Sequence, residues 1–311
     1  MAILVTGAAG LVGRAAVAAL LRQEVEHVRA VVRDPGQVGG LRRLGAKVAL
    51  LDATDPDGLA AAMAGVFTAC SLTGSLWPRP GEEPYAAVVD PARVFLAAAR
   101  SAGVRRVVVC SPAAVGTPAA PANPHLAAKA EVERMVAASG LEHAILRCTH
   151  VLGPGSRLVN LFARDRAPVP VPGDGRQQVA PVWVGDVAEA IAAADDAVEL
   201  SATWSLAGPT RLTFDELVDA VHGGPVAKRH LDGAADGGEG PADPRAGLTP
   251  AQAGVLAADS VPDPALRRPP GLAPTPLAEA LAGSAGSGRP SGRADYNPTA
   301  AAEQPGGTAG G

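Results

Sequence analysis

The chain has 311 residues, of which 47% are hydrophobic and 3% aromatic, and a formal net charge of −4. This length is enough for one large α/β domain with an attached lobe, and the negative charge excludes a protein that holds nucleic acid by bulk electrostatics. No apolar run is long enough to span a bilayer and the first predicted strand begins at Ala2, so we expect a cytoplasmic protein with no targeting peptide and no membrane partner.

The first predicted strand leads directly into a glycine-rich turn, and an alanine-rich helical pattern follows. Gly7 can adopt the backbone angles of a tight turn, Gly10 leaves room for a pyrophosphate against the main chain, and Gly13 lets the helix pack closely on the sheet. The helix N-terminus offers unpaired N–H groups and the positive end of its dipole to an anion. This combination predicts a dinucleotide site. The residues expected to contact the cofactor here are Thr6, Gly7, Ala9, Gly10, Leu11, Val12 and Gly13.

Strand and helix patterns alternate up to about residue 150, which is typical of a parallel sheet covered by helices on both faces. Right-handed crossovers would make residues 1–150 a doubly wound, Rossmann-type dinucleotide-binding core of the α/β class. The predicted strands are 2–5, 28–32, 47–51, 66–70, 106–110 and 143–147, and the predicted helices are 11–21, 37–44, 57–64, 90–101 and 126–139.

Beyond residue 150 the pattern loosens into Gly/Pro-rich stretches, and we expect residues 151–282 to form a small C-terminal substrate lobe that closes over the cofactor. Thr213 and Glu216 have the spacing of a capping box and predict a helix start. Residues 283–311 have the composition of a disordered tail. The other predicted elements of this region are a strand and helix over 181–195, a strand at 203–206 that returns to the edge of the main sheet, and short helices such as 276–282.

The residue about twenty positions after the glycines decides which dinucleotide such a fold accepts, because it meets the adenosine ribose. Arg33 lies at this position, and a guanidinium there would bind a 2′-phosphate through charge-assisted hydrogen bonds, which favours NADP over NAD. Asp34 would reverse the preference if the strand ended one residue later. Asp52, with Ala53 beside it, resembles the carboxylate that meets the adenine amino group in such folds, or else is a capping residue in a turn.

Four short segments carry a family pattern: TGAAGLVG in the first turn, VVRDP after strand two, LDATD after strand three, and KAEVERMVAASGLEHAILR. Together they resemble the atypical short-chain dehydrogenase/reductases, the NmrA-like and NAD(P)H-binding proteins. The stretch 151–222 is similar to relatives of sugar-nucleotide epimerases and of the complex I accessory subunit. The resemblance covers residues 1–222 and implies a Rossmann fold that binds a nicotinamide dinucleotide, NADP or NAD.

The resemblance also implies a catalytic Tyr followed four residues later by a Lys, and this chain departs from it. In that pair the Lys lowers the phenol pKa and holds the nicotinamide ribose, and the Tyr transfers the proton. Neither tyrosine, Tyr85 or Tyr296, has a Lys at that spacing, and the corresponding place holds His125 and Lys129. Lys129 is a candidate for the ribose contact; the alternative is an exposed lysine paired with Glu133.

Two further residues are candidates for catalysis. His125 could act as a proton donor, and the alternative, which we favour, is a helix-start residue that faces solvent. Ser111, at the end of strand five, stands where the resemblance implies a Ser that orients a substrate carbonyl, or else belongs to an ordinary Ser-Pro turn. The cysteines, Cys70, Cys110 and Cys148, lack the paired spacing of a structural zinc site and are interpreted as reduced, buried thiols.

Three functions follow from these observations. The first is an NAD(P)(H)-dependent oxidoreductase that passes a hydride to a small carbonyl, quinone or imine. The second is an NAD(P)-binding redox sensor or assembly protein without turnover, and the missing Tyr is its support. The third, a sugar-nucleotide epimerase, is weakened because that chemistry needs the phenolate as a base. The expected partners are the dinucleotide and a small-molecule substrate that the sequence does not identify.

Overall fold

The computed structural model describes residues 2–25, 27–77, 83, 85–118, 120–162, 168–197, 201–231 and 248–285. Short 3₁₀ helices span Pro35–Gln37, Ala113–Gly116 and Ala120–Ala122. The strands are β1 (Ala2–Thr6), β2 (His27–Val32), β3 (Lys47–Leu50), β4 (Val66–Ser71), β5 (Arg106–Pro112), β6 (Glu142–Cys148), β7 (Val151–Leu152), β8 (Val169–Pro172), β9 (Gln178–Val179), β10 (Val182–Trp183), β11 (Ser201–Leu206), β12 (Leu212–Thr213) and β13 (Lys228–Leu231). The helices are α1 (Leu11–Arg22), α2 (Val38–Arg43), α3 (Pro56–Ala62), α4 (Ala86–Ser101), α5 (Pro124–Ala137), α6 (Arg157–Phe162), α7 (Val184–Asp196), α8 (Phe214–His222), α9 (Pro250–Ala257) and α10 (Leu277–Ala285).

Seven parallel strands form the central sheet in the order β3-β2-β1-β4-β5-β6-β11. The chain moves outward from β1 to β3 on one side and then builds the other side from β4, so the crevice between β1 and β4 is the switch point of the sheet. Because all strands are parallel, their carboxyl ends meet at one edge. The predicted Rossmann-type α/β fold is confirmed, and the six predicted core strands lie within two residues of the observed bounds.

Apolar residues of small and medium size fill the space on both faces of the sheet. Helices α1 and α7 cover one face, and α3, α4 and α5 cover the other. Where α1 meets α7, the contact consists of Ala15, Ala19, Val184 and Ala188, whose short side chains let the helix axes approach closely. This packing explains how a chain with few aromatic residues still builds a dense core.

A buried arginine ties the amino end of the sheet to the end of α7. The side chain of Arg106 is 3% exposed, and its guanidinium lies 2.7 Å from the carboxylate of Glu142. It also donates hydrogen bonds to the carbonyl oxygens of Ala194, Asp195 and Ala197. The last carbonyls of a helix have no partner within the helix, so the guanidinium acts as a cap for α7. This ion pair therefore has a structural role, at the sheet edge opposite to the glycine-rich turn.

Several elements after residue 150 were not predicted. The stretch 168–175, expected to be a Gly/Pro-rich loop, contains strand β8, which pairs in parallel with β13. Proline is tolerated in β8 because this two-stranded sheet leaves one side of each strand without a ladder. The capping box at Thr213 and Glu216 is present and starts α8 as predicted. No helix in the described part of the chain is long and apolar enough to cross a membrane.

A C-terminal strap, residues 259–275, lies across the edge of the central sheet and connects it to the lobe. The backbone of Ser260 bonds to Gln178 and Ala180, and Ser205 of β11 donates to the carbonyl of Arg267. The strap ends where Asp186 of α7 accepts two hydrogen bonds from Thr275, at 2.8 Å from N and 2.7 Å from Oγ1. Helix α10 follows and continues to Ala285, which corrects the expected start of the tail at residue 283; residues 286–311 lie outside the described residues.

We expect Asp186→Ala to destabilise the protein by about 2 kcal/mol, because Asp186 is buried and the substitution leaves two donors of Thr275 without their charged acceptor. The control is Asp90→Ala, which removes an exposed ion pair with Arg93 and costs about 0.5 kcal/mol or less. Urea unfolding of the two variants measures both losses. Equal losses would show that the strap does not contribute to the stability of the sheet.

Candidate active site

The glycine-rich turn lies at the switch point of the sheet and is shaped by close contacts of the main chain. Gly7 has a φ of +67°, and a Cβ atom there would lie 2.5 Å from the carbonyl oxygen of Leu72, in the loop after β4. The N–H of Gly10 donates to the carbonyl of Gly7 at 3.0 Å, which closes the turn. A Cβ atom on Gly13 would collide with the main chain of Gly7 and Ala8. The tight turn and the close helix packing expected of these glycines are therefore present.

The start of α1 has the properties of an anion site. Gly10 is the exposed N-cap residue and supplies no capping side chain, and the first turn of the helix contains no acidic residue. The first N–H groups of a helix have no intrahelical acceptor, so these donors suit a diphosphate. Ala9, Leu11 and Val12 are half-buried around the same turn, whereas the hydroxyl of Thr6 is buried and bonds to the carbonyl of Cys70 at 3.3 Å.

Charged side chains mark the far end of the crevice, where β2 and β3 end. Arg33 pairs with Asp52 at 3.3 Å, and both side chains are about 40% exposed. The carboxylate of Asp34 accepts the N–H of Gly36 at 2.8 Å and caps the 3₁₀ helix, so it is engaged in its own turn. A hydrogen bond from the Thr54 hydroxyl lowers the pKa of Asp52, and burial opposes this shift only in part. Asp52 accepts the N–H of Thr54 in a turn, but the residue that caps α3 is Asp55, and Ala53 lies half-buried beside Asp52.

Lys129 is buried on α5 and points to the carboxyl end of the sheet. Its ammonium donates hydrogen bonds to the carbonyl of Thr73 at 3.1 Å and to that of Cys110 at 3.5 Å. Burial lowers the pKa of this lysine, while nearby thiols and Glu133 oppose the shift. The alternative of an exposed lysine paired with Glu133 is wrong, because Glu133 binds the guanidinium of Arg147 at 2.7 Å. Within the described part of the chain, acceptors occupy two of the three donors of the ammonium, which leaves one for a ligand.

His125 lies one helical turn before Lys129 and is 4% exposed. The expectation that it faces solvent is therefore wrong. Asn123 caps α5 by accepting the N–H groups of His125 and Leu126, which fixes the helix start. Burial, helped by the nearby Lys129 ammonium, lowers the pKa of His125 to about 3. The imidazole is neutral at physiological pH and can donate one hydrogen bond.

Ser111 lies inside β5, immediately before its last residue, and so belongs to the strand and not to a turn. Its Oγ atom is buried, and none of the described residues provides it with a hydrogen-bond partner. A buried hydroxyl without a partner is costly, so this atom is suited to meet a ligand atom. The strand register places Ser111 beside Arg147 of β6.

The three cysteines lie on the face of the sheet that α1 and α7 cover, and all are free thiols. A hydrogen bond with Cys110, together with burial, raises the pKa of Cys148. Burial also raises the pKa of Cys70. Both thiols therefore stay protonated, and they pack as small apolar side chains. Within the described residues no set of three ligating side chains has the geometry of a metal site.

A sequence model described as NAD(P)H-binding matches residues 7–194, which include the glycine-rich turn, Arg33, Ser111 and Lys129. The chain belongs to this NAD(P)H-binding family. The resemblance inferred from the sequence motifs is thereby confirmed. Among curated proteins, the chain is 30% identical over 266 residues to the 3-diazoavenalumate denitrifying reductase of a Streptomyces species, covering 74% of this chain and 82% of that protein.

A second curated relative of this NAD(P)H-binding protein is subunit 9 of the alpha subcomplex of mitochondrial NADH dehydrogenase [ubiquinone] 1 of Arabidopsis thaliana. The identity is 29% over 232 residues, which cover 70% of this chain and 56% of the plant protein. The chain thus spans little more than half the length of that relative.

Solved structures share the fold. An NADPH-dependent quinone oxidoreductase of Escherichia coli, complexed with NADPH, superposes with a TM-score of 0.69 at 24% identity, covering 90% of this chain and 98% of the other. The triphenylmethane reductase of a Citrobacter species, complexed with NADP(H), gives a TM-score of 0.69 at 20% identity, covering 91% and 99%.

Helix α9, which the sequence pattern did not predict, packs against the residues that flank His125 in this NAD(P)H-binding protein. The side-chain amide of Asn123 donates to the carbonyl of Ala251 at 2.9 Å, and that of Gln252 donates to the carbonyl of Leu76 at 3.1 Å. Apolar residues close the contact; they are Leu76, Ala114, Val115, Ala120, Leu126, Val255 and Ala258. A Thr at 249 followed by Gln at 252, the spacing of a capping box, was the signal that could have revealed this helix.

His150, two residues after β6, is a half-buried histidine that sequence reasoning missed. Its ring packs edge-on against Phe214 with centroids 5.8 Å apart, and its Nε2 atom has no partner among the described residues. Burial lowers the pKa of His150 to about 4. Trp77 packs against the lobe with the guanidinium of Arg157 6.0 Å from its ring, while Tyr85 is 42% exposed.

We expect the protein to lose stability as the pH falls from about 6.5 towards 4, because His125 and His150 stay neutral in the folded state while the unfolded chain takes up protons. Each histidine contributes a slope of up to about 1.4 kcal/mol per pH unit. Glutamine is neutral at every pH, so His125→Gln should remove the contribution of His125 to this slope. Urea unfolding curves recorded between about pH 6.5 and 4 measure the slope. The exposed His27 supplies the control, His27→Gln, with an unchanged slope. Parallel slopes for wild type and His125→Gln would contradict the burial of a neutral imidazole.

Proposed function

We propose that the protein is an NADP(H)-dependent oxidoreductase that transfers a hydride to a small acceptor, of which a quinone is the preferred class. The observation that carries this proposal is the position of two groups at the carboxyl edge of the sheet beside the glycine-rich turn. These groups are the buried Lys129 ammonium, with one donor left, and the Ser111 hydroxyl, for which the described residues supply no partner. The reductases among the relatives and structural neighbours support the same function.

Different residues along the crevice bind different parts of the cofactor and the acceptor. The main-chain N–H groups at the start of α1 hold the diphosphate, and the third donor of Lys129 binds a ribose hydroxyl. When the reduced cofactor is bound, its nicotinamide ring supplies the hydride. Ser111 donates a hydrogen bond to the acceptor oxygen, where negative charge develops during the transfer. Residues 151–282, with α9 as a wall, exclude water from the acceptor and select its shape.

The protonation state of His125 decides which acceptors are suitable. With a pKa of about 3, the imidazole is not a proton donor at neutral pH, although it can donate a hydrogen bond. Hydride transfer to a quinone leaves a phenolate-type oxygen, whose pKa is about 10, as for tyrosine. Transfer to a simple aldehyde leaves an alkoxide, a far stronger base than a phenolate, which needs a proton before it can leave. A site without an acid therefore favours the quinone, because the phenolate can leave before it is protonated.

The second candidate is a dinucleotide-binding protein without turnover. The observation that favours it is the histidine in place of the catalytic tyrosine, with a pKa too low for an acid. A subunit of a respiratory complex among the relatives gives the same candidate some support. An epimerase is disfavoured, because the chain has a histidine and not a tyrosine four residues before Lys129, where the phenolate base is expected.

We expect Arg33→Ser to weaken NADPH binding about tenfold or more and to leave NADH binding within about twofold, because only NADPH presents a 2′-phosphate to the guanidinium. Fluorescence titration with each nucleotide measures both affinities. Arg93→Ser, at an exposed arginine of α4, is the control. Asp34→Asn tests the opposite assignment: a loss of NADH affinity in this variant, with no selective loss in Arg33→Ser, would assign the ribose to Asp34 and the preference to NAD.

The acceptor class is tested by the decay of the reduced-nicotinamide absorbance with NADPH and either benzoquinone or benzaldehyde. We expect a kcat/KM for benzoquinone at least about 100-fold higher, since a missing general acid costs about 10²–10⁴ in rate. His125→Tyr supplies a phenol beside Lys129 and should raise the rate with benzaldehyde while leaving that with benzoquinone unchanged. Comparable rates with both acceptors in the wild type would overturn the quinone preference. Tight NADPH binding without decay across a panel of acceptors would favour the second candidate.

A further inference from the structure

The loop after β4, residues 72–75, lies between the glycine-rich turn and Lys129 and contacts both. On one side, the N–H of Leu72 donates to the carbonyl of Thr6 at 3.3 Å. A Cβ atom on Gly7 would lie 2.5 Å from the Leu72 carbonyl oxygen and 3.1 Å from the Thr73 nitrogen. The main chain of this loop is thus fixed directly against the turn that would hold the diphosphate.

On its other side the same loop holds the ammonium of Lys129. The carbonyl of Thr73 accepts a hydrogen bond from Nζ at 3.1 Å. The next residue, Gly74, has a φ of +77°, and a Cβ atom there would lie 3.1 Å from Nζ and 3.3 Å from both methyl groups of Val88. The ammonium therefore occupies the space that a side chain at position 74 would need.

We propose that Gly74 is a positioning residue for Lys129. Gly74 has no side chain, and Val88 of α4 packs behind it, so the ammonium can lie at the one position from which it contacts both the Thr73 carbonyl and the ribose. A methyl group at position 74 has nowhere to move, because the Val88 methyls belong to a buried helix face. The end of the flexible lysine side chain moves instead. The inference rests on the proposed function, since the ribose contact of Lys129 belongs to it.

The chain offers a matched control. Gly140, after α5, also has a φ of +77°, and a Cβ atom there would meet nothing within 4 Å. Alanine at either position pays the same backbone strain, and only at position 74 does it touch the lysine. We expect both variants to lower the melting temperature, and Gly74→Ala to lower it more, because its methyl group also presses on Val88. Gly74→Ala alone weakens NADPH binding about tenfold or more in a fluorescence titration, because a displacement of about 1 Å suffices for such a loss.

A double-mutant cycle shows whether the effect passes through Lys129. In a Lys129→Met background, Gly74→Ala should change NADPH affinity by less than about twofold, since the group that it displaces is gone. An undiminished effect in that background overturns the inference. So does a Gly74→Ala variant that binds NADPH as Gly140→Ala does, while Lys129→Met alone weakens binding; this result leaves the proposed function intact.

The failure of the proposed ribose contact has a different signature. If Lys129→Met alone leaves NADPH affinity unchanged, Lys129 does not hold the ribose, and the role of Gly74 falls with it. Should Gly74→Ala not fold, the comparison is repeated with Gly74→Asn and Gly140→Asn, because asparagine adopts positive φ at a lower cost. The expected and overturning results for this pair are the same as for alanine.

Discussion

The structure depends on a contact between two main-chain segments at the switch point, where the bare Cα of Gly7 lies against the carbonyl of Leu72. Strands β1 and β4 are neighbours, and the chain leaves each of them in a different direction, so their loops must pass each other within a few ångströms. Only glycine allows this approach. Because of it, the start of α1 and the carbonyl that holds Lys129 belong to one rigid unit, and the spacing of these two candidate cofactor contacts does not rely on long side chains.

The electrostatics change along this crevice. At its outer end, Arg33 and Asp52 are well exposed and can rearrange around a ligand, as solvated ion pairs do at little cost. At its inner end, α9 packs against the start of α5, and burial lowers the pKa of both His125 and Lys129. The same sheet edge thus has a solvent-exposed, charged region and a buried region with few charges. A dinucleotide has the corresponding division between its phosphate-bearing adenosine and its uncharged reactive groups.

Local sequence signals were sufficient for the core and insufficient for the surroundings of the site. The first strand, the turn and the helix that follows can be predicted from residues close in sequence, namely a short apolar run and the spacing of Gly7, Gly10 and Gly13. The exposure of His125 was predicted wrongly because α9, which packs against its neighbours Asn123 and Leu126, follows more than a hundred residues later in the chain and reaches them only after folding. Strand β8 was missed for a related reason: its prolines are compatible with a strand only because its single partner, β13, lies far along the chain.

The core follows from local sequence signals and the surroundings of the site do not, and this difference explains why family membership is informative about the cofactor and not about the reaction. The Lys129 ammonium is held by main-chain carbonyls of Thr73 and Cys110, which are independent of the side chain at position 125. A histidine can therefore replace the tyrosine of related enzymes without disturbing the groups that would hold the dinucleotide. What changes is the group at position 125, a buried imidazole whose pKa burial lowers to about 3. The chemistry of the site is thus determined by the part of the chain with the weakest sequence pattern, acting on a scaffold determined by the strongest.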